Sequence, residues 1–236
     1  MVSVLTVLVL FVATLAHAVF GFGSALVAMP LLALTVGVQT ATPLVAFVML
    51  TTTGVMLWGS WRHVDIHATW QLVLSSIVGI PIGVLILKAA PEAWVKGLLG
   101  VFLITSSLYA LLRPPLRSLE RHGWAYVFGF VAGVLGGAYN TNGPPLVLYG
   151  ALRRWSPERF RATLQGYFVP ATVFIWVGHG LGGLWTPRVV GLYVLSLPLV
   201  LLAIGLGMKL NHRIPARRFE RVLGVILIGL GLLLLL

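Results

Sequence analysis

Residues 136–145, which read GGAYNTNGPP, interrupt an otherwise apolar stretch and decide what kind of fold this chain can adopt. A shorter glycine-rich run, FGFGS at residues 20–24, interrupts the first apolar stretch in a similar way. Inside a membrane, backbone that leaves the helix is tolerated only where protein or a water-lined cavity satisfies its polar groups. Paired breaks in the two halves of an apolar chain therefore indicate a transport site.

The composition is that of an integral membrane protein. Of the 236 residues, 59% are hydrophobic and 9% are charged, and the mean hydropathy is +1.02. Several apolar runs approach or exceed the ~20 residues that cross a bilayer as a helix. The net charge of +11 comes from Lys and Arg in short loops, where positive charge sets topology, so we expect no nucleic-acid partner. Cysteine is absent, which excludes disulfides, zinc–thiolate sites and cysteine nucleophiles.

Charged clusters divide the chain into eight apolar blocks, four in each half. The two halves align in part, because the residues at positions 23, 26, 27 and 32 recur 120 positions later. Weak internal repetition of this kind is typical of duplicated transporter halves. We therefore predict an all-α polytopic membrane protein with two tandem repeats, residues 1–118 and 119–236, which together form one integral membrane domain.

The first and fifth blocks are too long for single perpendicular spans. As a helix the first would measure ~55 Å, against a hydrocarbon core of ~30 Å. Either each block is one broken, tilted span, giving eight crossings in parallel repeats, or each is a pair of short segments meeting at the glycines, giving ten segments, re-entrant helices and inverted repeats. The second model places thirteen of the sixteen Lys and Arg on one side and the first places eleven, so loop charge mildly favours inversion. Both models put both termini outside the cytoplasm.

The two breaks supply neutral hydrogen-bond donors that suit an anion. A helix that restarts after a break directs unpaired N–H groups, with partial positive charge, at the gap. Asn140, Thr141 and Asn142 add amide and hydroxyl donors, and Ser24 adds a hydroxyl in the first half. Such donors can replace the water around a sulfite, a sulfonate or a carboxylate without burying a full positive charge. The predicted substrate-binding residues are Gly21, Phe22, Gly23, Ser24, Tyr139, Asn140, Thr141, Asn142, Gly143 and Gln165.

Titratable groups are scarce in the apolar blocks. Every Asp and Glu falls in a predicted loop or at a helix end, so proton coupling would have to use histidine. His17 and His179 are the candidate proton relays, and a simple hydrogen-bonded role is the alternative for each. Arg159 and Arg161 are expected at the cytoplasmic mouth, where they either concentrate anions or only set topology.

The sequence offers no support for catalysis or for a bound cofactor. No His–acid pair is available to activate a Ser or Thr, so we predict no catalytic residue and no enzyme activity. The segment His63–His67 contains two His and one Asp but has no further acidic or sulfur ligand, so we predict no metal site.

Two local patterns give structural expectations. Ser156, Pro157 and Glu158 predict a helix start with an N-cap, a first-turn proline and a first-turn acid. Glycines inside the apolar blocks are expected to permit close helix packing, as small residues do in membranes. The glycines concerned are Gly79, Gly83, Gly100, Gly129, Gly133, Gly205, Gly207 and Gly224.

Three motifs carry a resemblance to a known family. They are GFGSALVAMPLL at residues 21–32, GG at 136–137 with GPPLVLY at 143–149, and FRAT at 160–163. With these motifs the chain resembles the sulfite exporter TauE/SafE family of bacterial membrane permeases over essentially its whole length. The resemblance implies a secondary transporter of small sulfur-containing anions, such as sulfite or organosulfonates, in a bacterial inner membrane. Ser24-Ala25 stands where many relatives continue with glycines.

We therefore predict a permease that moves a small sulfur-containing or organic anion through the lipid bilayer by alternating access. The coupling ion is a proton or sodium, and the sequence is compatible with a homo-oligomer. The alternatives are an anion channel and a membrane scaffold without transport. The scaffold alternative predicts that the Asn-Thr-Asn run packs against protein with no cavity beside it.

Overall fold

The computed structural model describes residues 2–21, 23–58, 69–112, 119, 121, 123–210 and 216–236, apart from the side chains of residues 57, 58, 157, 158, 161, 162, 165 and 216–222. These residues form ten α-helices and no strand. In chain order they are α1 (Val2–Phe20), α2 (Ser24–Thr35), α3 (Val38–Trp58), α4 (Trp70–Ala89), α5 (Glu92–Leu112), α6 (Trp124–Tyr139), α7 (Gly143–Leu152), α8 (Pro157–Leu181), α9 (Pro187–Leu210) and α10 (Ala216–Leu235).

The helices have the length and surface of a membrane bundle. Five of them, α1, α3, α4, α5 and α9, are long and apolar enough to cross a membrane. Large apolar side chains also cover the outside of the bundle; Trp94 and Leu112, for example, are 71% and 74% exposed. Water would oppose such exposure, whereas lipid tails are as apolar as leucine. The prediction of an all-α polytopic membrane protein is confirmed.

Each of the two overlong blocks is divided into two helices. Gly21 and Gly23, with φ of 82° and 99°, separate α1 from α2, and Asn140, with φ of 56°, ends α6 shortly before α7 begins. A left-handed φ stops an α-helix, because the backbone can no longer continue the i to i−4 hydrogen bonds. The short helices α2 and α7 pack against α1 and α6 respectively. The repeat relation between the halves and re-entry of the short helices stay predictions.

Glycines bring helix backbones into direct contact, most clearly between α4 and α6. A Cβ atom at Gly83 would meet the Val134 carbonyl oxygen and lie 2.8 Å from the Ala138 backbone nitrogen. Such approach is possible only without a side chain. The packing prediction is confirmed for Gly79, Gly83, Gly100, Gly129, Gly133, Gly207 and Gly224. It is wrong for Gly205, because nothing lies within 4 Å of a Cβ built there.

The start of α8 follows its sequence signal. Ser156 is the N-cap, with φ of −61° and ψ of 154°, and its Oγ accepts a hydrogen bond of 3.3 Å from the Arg159 backbone N–H. This bond satisfies one of the donors that every helix start leaves without an intrahelical partner. The prediction of a capped helix start at this position is confirmed.

Removing this cap should cost a small, measurable amount of stability. We expect Ser156→Ala to lower the free energy of unfolding by about 1 kcal/mol, because the Arg159 N–H loses its acceptor. Ser156→Asp keeps an acceptor and should stay close to the wild type. Thermal unfolding of the purified protein in detergent measures both. Equal losses in the two variants would contradict a capping role.

Candidate functional site

Residues of the two breaks line one cavity, although they are far apart in the sequence. The cavity has a volume of about 20 Å³ in this conformation, which is room for about one water molecule. Met49 of α3 and Phe168 of α8 complete the wall. The other lining residues are His17, Gly23, Ser24, Ala25, Leu26, Asn140, Thr141, Asn142, Gly143 and Pro144.

The first break presents the start of α2 to this cavity. Gly23 is the N-cap residue and gives no side-chain cap, and the first intrahelical bond runs from the Val27 N–H to the Gly23 carbonyl oxygen at 3.1 Å. The three preceding N–H groups, from Ser24 to Leu26, therefore have no intrahelical partner. Their residues all line the cavity.

A hydrogen bond between His17 and Ser24 joins the two sides of the first break. His17 Nδ1 lies 2.9 Å from Ser24 Oγ, and both residues are buried. The Gly21 N–H also donates to the His17 carbonyl oxygen at 2.7 Å, which holds the turn in place. Gly21 thus shapes the break without lining the cavity.

Asn140 fastens the second break to α3. Its Nδ2 donates to the Thr42 carbonyl oxygen at 2.7 Å. In return, the Thr42 hydroxyl donates to the Ala138 carbonyl oxygen at 3.2 Å. The left-handed φ of 56° is one that Asn adopts more readily than most residues. The Asn140 amide nitrogen is thus committed to the fold, although the residue lines the cavity.

This role predicts an order of stability among Asn140 variants. Asn140→Gly removes the bond to Thr42 but tolerates the left-handed backbone. Asn140→Ala also places a Cβ in that conformation, which costs a further ~1 kcal/mol or more. We expect unfolding temperatures to fall from wild type to Gly to Ala in thermal unfolding of the purified protein. An Ala variant as stable as the Gly variant would contradict the strain argument.

Thr141 and Asn142 keep free polar atoms at the cavity. Both residues are 1% exposed, and neither Thr141 Oγ1 nor Asn142 Nδ2 has a hydrogen-bond partner. Asn142 does approach the Tyr167 hydroxyl, whose oxygen can still accept because its proton goes to Ser76 Oγ at 2.7 Å, but no well-formed hydrogen bond joins Asn142 Nδ2 to it. Buried polar atoms are almost always paired, so two donors without a well-formed partner, on residues that line one cavity, indicate a place for a ligand.

Two prolines reduce the number of backbone N–H donors at the start of α7, so the side chains of Thr141 and Asn142 supply donors in their place. Pro144 and Pro145 have no N–H, so Gly143 supplies the one backbone donor among the first three residues of α7. The start of α2 offers three such backbone donors, whereas the start of α7 offers one, with Thr141 and Asn142 beside it. The two halves therefore contribute different chemistry to the same cavity.

The other predicted residues, which include a candidate proton relay and the arginines expected at the cytoplasmic mouth, either do not line the cavity or lie outside the described residues. The Tyr139 hydroxyl donates to the Val95 carbonyl oxygen at 2.9 Å, and His179 Nε2 lies 2.8 Å from the Gly137 carbonyl oxygen; neither residue lines the cavity. Arg159 is exposed and lies over the Trp155 ring, 5.9 Å from its centroid. Phe22, the side chains of Arg161 and Gln165, and the segment 63–67 lie outside the described residues.

Sequence reasoning missed three residues that matter here. Met49 and Phe168 form part of the cavity wall. The backbone carbonyl oxygen of Thr42 accepts the hydrogen bond from the Asn140 side-chain amide. Apolar residues inside apolar helices give no signal, and Thr42 resembles any other hydroxyl residue of α3. Their role depends on which helices meet at the breaks.

The electrostatics of the cavity come from neutral groups. Among the lining residues that the structure describes there is no Lys, Arg, Asp or Glu. Partial positive charge is concentrated at the starts of α2 and α7, which together with the free side-chain donors favours a small anion. The scaffold alternative required that no cavity lie beside the Asn-Thr-Asn run, and this expectation is not met.

A multi-pass helical membrane protein in which paired helix breaks enclose a buried polar cavity has the architecture of a membrane transporter. The model of the sulfite exporter TauE/SafE family matches residues 6–234, and the chain belongs to this family. The family assignment made from the sequence motifs is thereby confirmed, and with it the class of membrane permeases.

Two curated relatives are similar over most of the chain. One is the probable sulfite/organosulfonate exporter TauE of Cupriavidus necator, 26% identical over 203 residues, which cover 84% of this chain and 79% of the relative. The other is the probable inner membrane transporter protein TsaS of Comamonas testosteroni, 26% identical over 175 residues, or 73% of each chain. No solved structure matches the chain significantly.

Proposed function

We propose that this protein is a secondary transporter of the bacterial inner membrane that carries sulfite or a small organosulfonate by alternating access. The cavity between the two breaks is its substrate site. The observation that carries the proposal is the meeting of two helix starts and two unpartnered donors, Thr141 Oγ1 and Asn142 Nδ2, around one buried space. The name of the relative from Cupriavidus necator supports the choice of substrate.

The hydrogen bond between His17 and Ser24 suits an anionic ligand when the His17 proton is on Nδ1. With the proton on Nδ1, His17 donates to Ser24 Oγ and leaves the Ser24 proton free to point at the ligand. Ser24 then joins Thr141 and Asn142 as a third side-chain donor. Neutral donors on two sides replace the hydration of a trigonal or tetrahedral oxyanion without burying a cation.

The helix arrangement supports the ten-segment topology with both termini outside. Lys88 lines a surface cavity together with Thr186. The ten-segment model puts the loops of both residues on the same side of the membrane, whereas the eight-crossing model separates them. Matching the first five helices in order to the last five turns the packed pair α1 and α9 into α6 and α4, which also pack together. The same matching turns the pair α5 and α10 into itself. This agreement supports two related repeats.

Ligand-dependent stabilisation and flux test the function. In purified protein, sulfite and methanesulfonate should raise the unfolding temperature, whereas choline chloride at equal ionic strength should not. In proteoliposomes the uptake of sulfite should saturate and should respond to either a proton or a sodium gradient, which identifies the coupling ion. Non-saturating conductance would favour an anion channel instead. Absence of both stabilisation and flux across a panel of sulfonates and carboxylates would overturn the proposal.

The Thr141 hydroxyl gives a test that separates binding from folding. In Thr141→Val the shape is kept and an unpartnered polar group is removed, so stability without ligand should be unchanged or higher. Sulfite should bind about 10-fold more weakly, because one donor worth ~1.4 kcal/mol is lost. Titration by thermal shift measures both quantities.

Thr14 provides the matched control. Its Oγ1 is also buried and unpartnered, but the residue does not line the cavity. Thr14→Val should leave sulfite affinity unchanged. Equal effects of the two substitutions on affinity would show that the Thr141 hydroxyl does not contact the substrate.

A further inference from the structure

Three buried polar atoms without partners follow one another along α8, away from the cavity. They are Thr172 Oγ1, Trp176 Nε1 and His179 Nδ1. Thr172 and His179 are 1% and 0% exposed, and the second ring nitrogen of His179 is already paired with the Gly137 carbonyl oxygen. Unpaired polar atoms at membrane depth are costly, because lipid offers them no hydrogen bond. One such atom could reflect local packing, but three at successive helical turns form a continuous polar row.

The row occupies one face of α8. At about 100° per residue, positions 168, 172, 176 and 179 fall within roughly 80° of the helix circumference. The opposite face carries Val173, Phe174 and Val177, which are 44%, 41% and 38% exposed and suit contact with lipid. The polar row therefore faces the bundle interior.

The row connects two cavities. Phe168, one turn before Thr172, lines the cavity between the breaks. Gly183, in the turn that follows the end of α8, lines the surface cavity that also contains Lys88 and Thr186. That cavity has a volume of about 300 Å³ and is open to the surface. We call it the outer vestibule, because α8 ends on the side that the predicted topology places outside the cytoplasm.

Helix α3 spans the same two cavities. Gln39 and Thr40 near its start line the outer vestibule, and Met49 lines the cavity between the breaks. Helices α3 and α8 also pack against each other. The space between the two cavities is thus bounded by the same pair of helices at both ends.

Aromatic side chains of α3, α8 and the turn that follows α8 form a cluster. The Trp176 ring lies 4.2 Å from the Trp185 ring and 5.6 Å, edge to face, from the Phe47 ring, measured between centroids. Aromatic rings of this kind can be displaced by rotation about two side-chain torsions. Trp185 lies between Leu184 and Thr186, which line the outer vestibule, so the cluster adjoins the vestibule end of α8.

We propose that the face of α8 bearing Thr172, Trp176 and His179 lines the substrate pathway between the cavity and the outer vestibule, with the aromatic cluster of Phe47, Trp176 and Trp185 closing it in this conformation. The pathway takes the same small oxyanion as the cavity, so this inference rests on the proposed function. Lys88, exposed at the vestibule, gives the outer end of the path a positive charge that attracts anions. The Thr172 hydroxyl and the Trp176 N–H are donors that replace part of the hydration of the passing anion. His179 donates through Nε2 to the Gly137 carbonyl oxygen, so its free Nδ1 is an acceptor that binds water beside the path.

The absence of cysteine from the chain makes the test direct, because each introduced cysteine is then the one reactive thiol. Single cysteines are placed at Thr172, Trp176 and His179 and treated with methanethiosulfonate ethylsulfonate, an anionic and membrane-impermeant reagent, during methanesulfonate transport. Sulfite is left out of this step because it attacks thiosulfonates and disulfides. Ala171→Cys is the matched control, since Ala171 is adjacent to Thr172 and equally buried. Val177→Cys is the lipid-facing control. Thr186→Cys marks the side on which the vestibule opens.

The row cysteines should react at least about tenfold faster than the two controls, and from the same side of the membrane as Thr186→Cys. Excess methanesulfonate should slow their reaction, and completed modification should block methanesulfonate flux. The cationic trimethylammonium analogue of the reagent should be disfavoured at the row relative to the anionic one.

Three results would overturn the pathway: no reaction at any row cysteine during transport, equal reaction at Ala171→Cys, or reaction that methanesulfonate does not slow and that leaves methanesulfonate flux unchanged. The last result would mean that the row holds only water. Sulfite flux of the unmodified Thr172→Cys variant is measured first, because this near-isosteric change keeps the fold. Failure of the wild type to transport any anion would instead count against the proposed function, independently of the labelling.

Discussion

The Asn142→Asp variant is expected to lose sulfite binding by more than about 100-fold, which corresponds to ~2.7 kcal/mol or more. The substitution changes the size of the side chain very little, but it replaces a free amide donor by a carboxyl group. If the carboxyl is ionised, its negative charge opposes that of the substrate across a cavity with no Lys or Arg in its described lining. If it is protonated, one donor is still lost. Isothermal titration and sulfite flux in proteoliposomes measure the effect.

A second substitution at the same position keeps this test informative if the new charge disturbs folding. Asn142→Leu removes the amide without adding charge, and because Asn142 Nδ2 has no partner the fold should tolerate the loss. We expect a binding loss intermediate between those of Thr141→Val and Asn142→Asp. Wild-type affinity in a folded Asn142→Leu protein would remove Asn142 from the substrate site.

The Gly83→Leu variant is expected to yield no correctly folded protein. A Cβ at this position would meet the Val134 carbonyl oxygen, the Ala138 nitrogen and Gly137 Cα, which are all backbone atoms and cannot rotate away. Helices α4 and α6 would have to separate, at a cost of about 3 kcal/mol or more, the upper end of what overpacking usually causes. Asn140 lines the cavity at the end of α6, so the separation would also move Asn140 out of its place there. Yield of monodisperse protein and its unfolding temperature measure the outcome.

Gly205 offers a matched control for this prediction. It also lies inside a long membrane helix, but nothing is found within 4 Å of a Cβ built on it. Gly205→Leu should therefore be neutral or slightly stabilising, because leucine favours the helix by up to ~1 kcal/mol over glycine. Similar losses in the Gly83 and Gly205 variants would mean that glycine content, rather than the contact between α4 and α6, sets stability.

Local features of the fold could be predicted because they depend on neighbours in the sequence. The cap at Ser156, the helix breaks at Gly21–Gly23 and at Asn140, and the membrane class follow from propensity, turn chemistry and hydropathy. The packing role of glycines was predicted as a tendency. Its failure at Gly205 has a simple cause, since whether a helix face meets another helix depends on where that second helix lies.

The candidate site shows the same division. The residues of both breaks were predicted to act together, but the sequence treated Asn140, Thr141 and Asn142 as equivalent donors. The structure commits the Asn140 amide to the Thr42 carbonyl oxygen and leaves Thr141 Oγ1 and Asn142 Nδ2 without partners. Tyr139 was predicted to bind the substrate and His179 was a candidate proton relay, and both direct polar atoms at backbone carbonyls outside the cavity lining. Spacing along the chain does not reveal which acceptor a side chain will reach.

By itself, the sequence determined that this chain lies in a membrane, that its two halves each break at glycine-rich segments, and that neutral groups dominate those breaks. These properties reside in composition and in short stretches such as residues 136–145, where local chemistry is sufficient. The tertiary structure alone decided that the breaks share one cavity, that Met49 and Phe168 complete it, and that three buried polar atoms of α8 stay without partners. The physical reason is that partners separated by a hundred residues meet only through helix packing, and packing decides which polar groups are paired and which stay free.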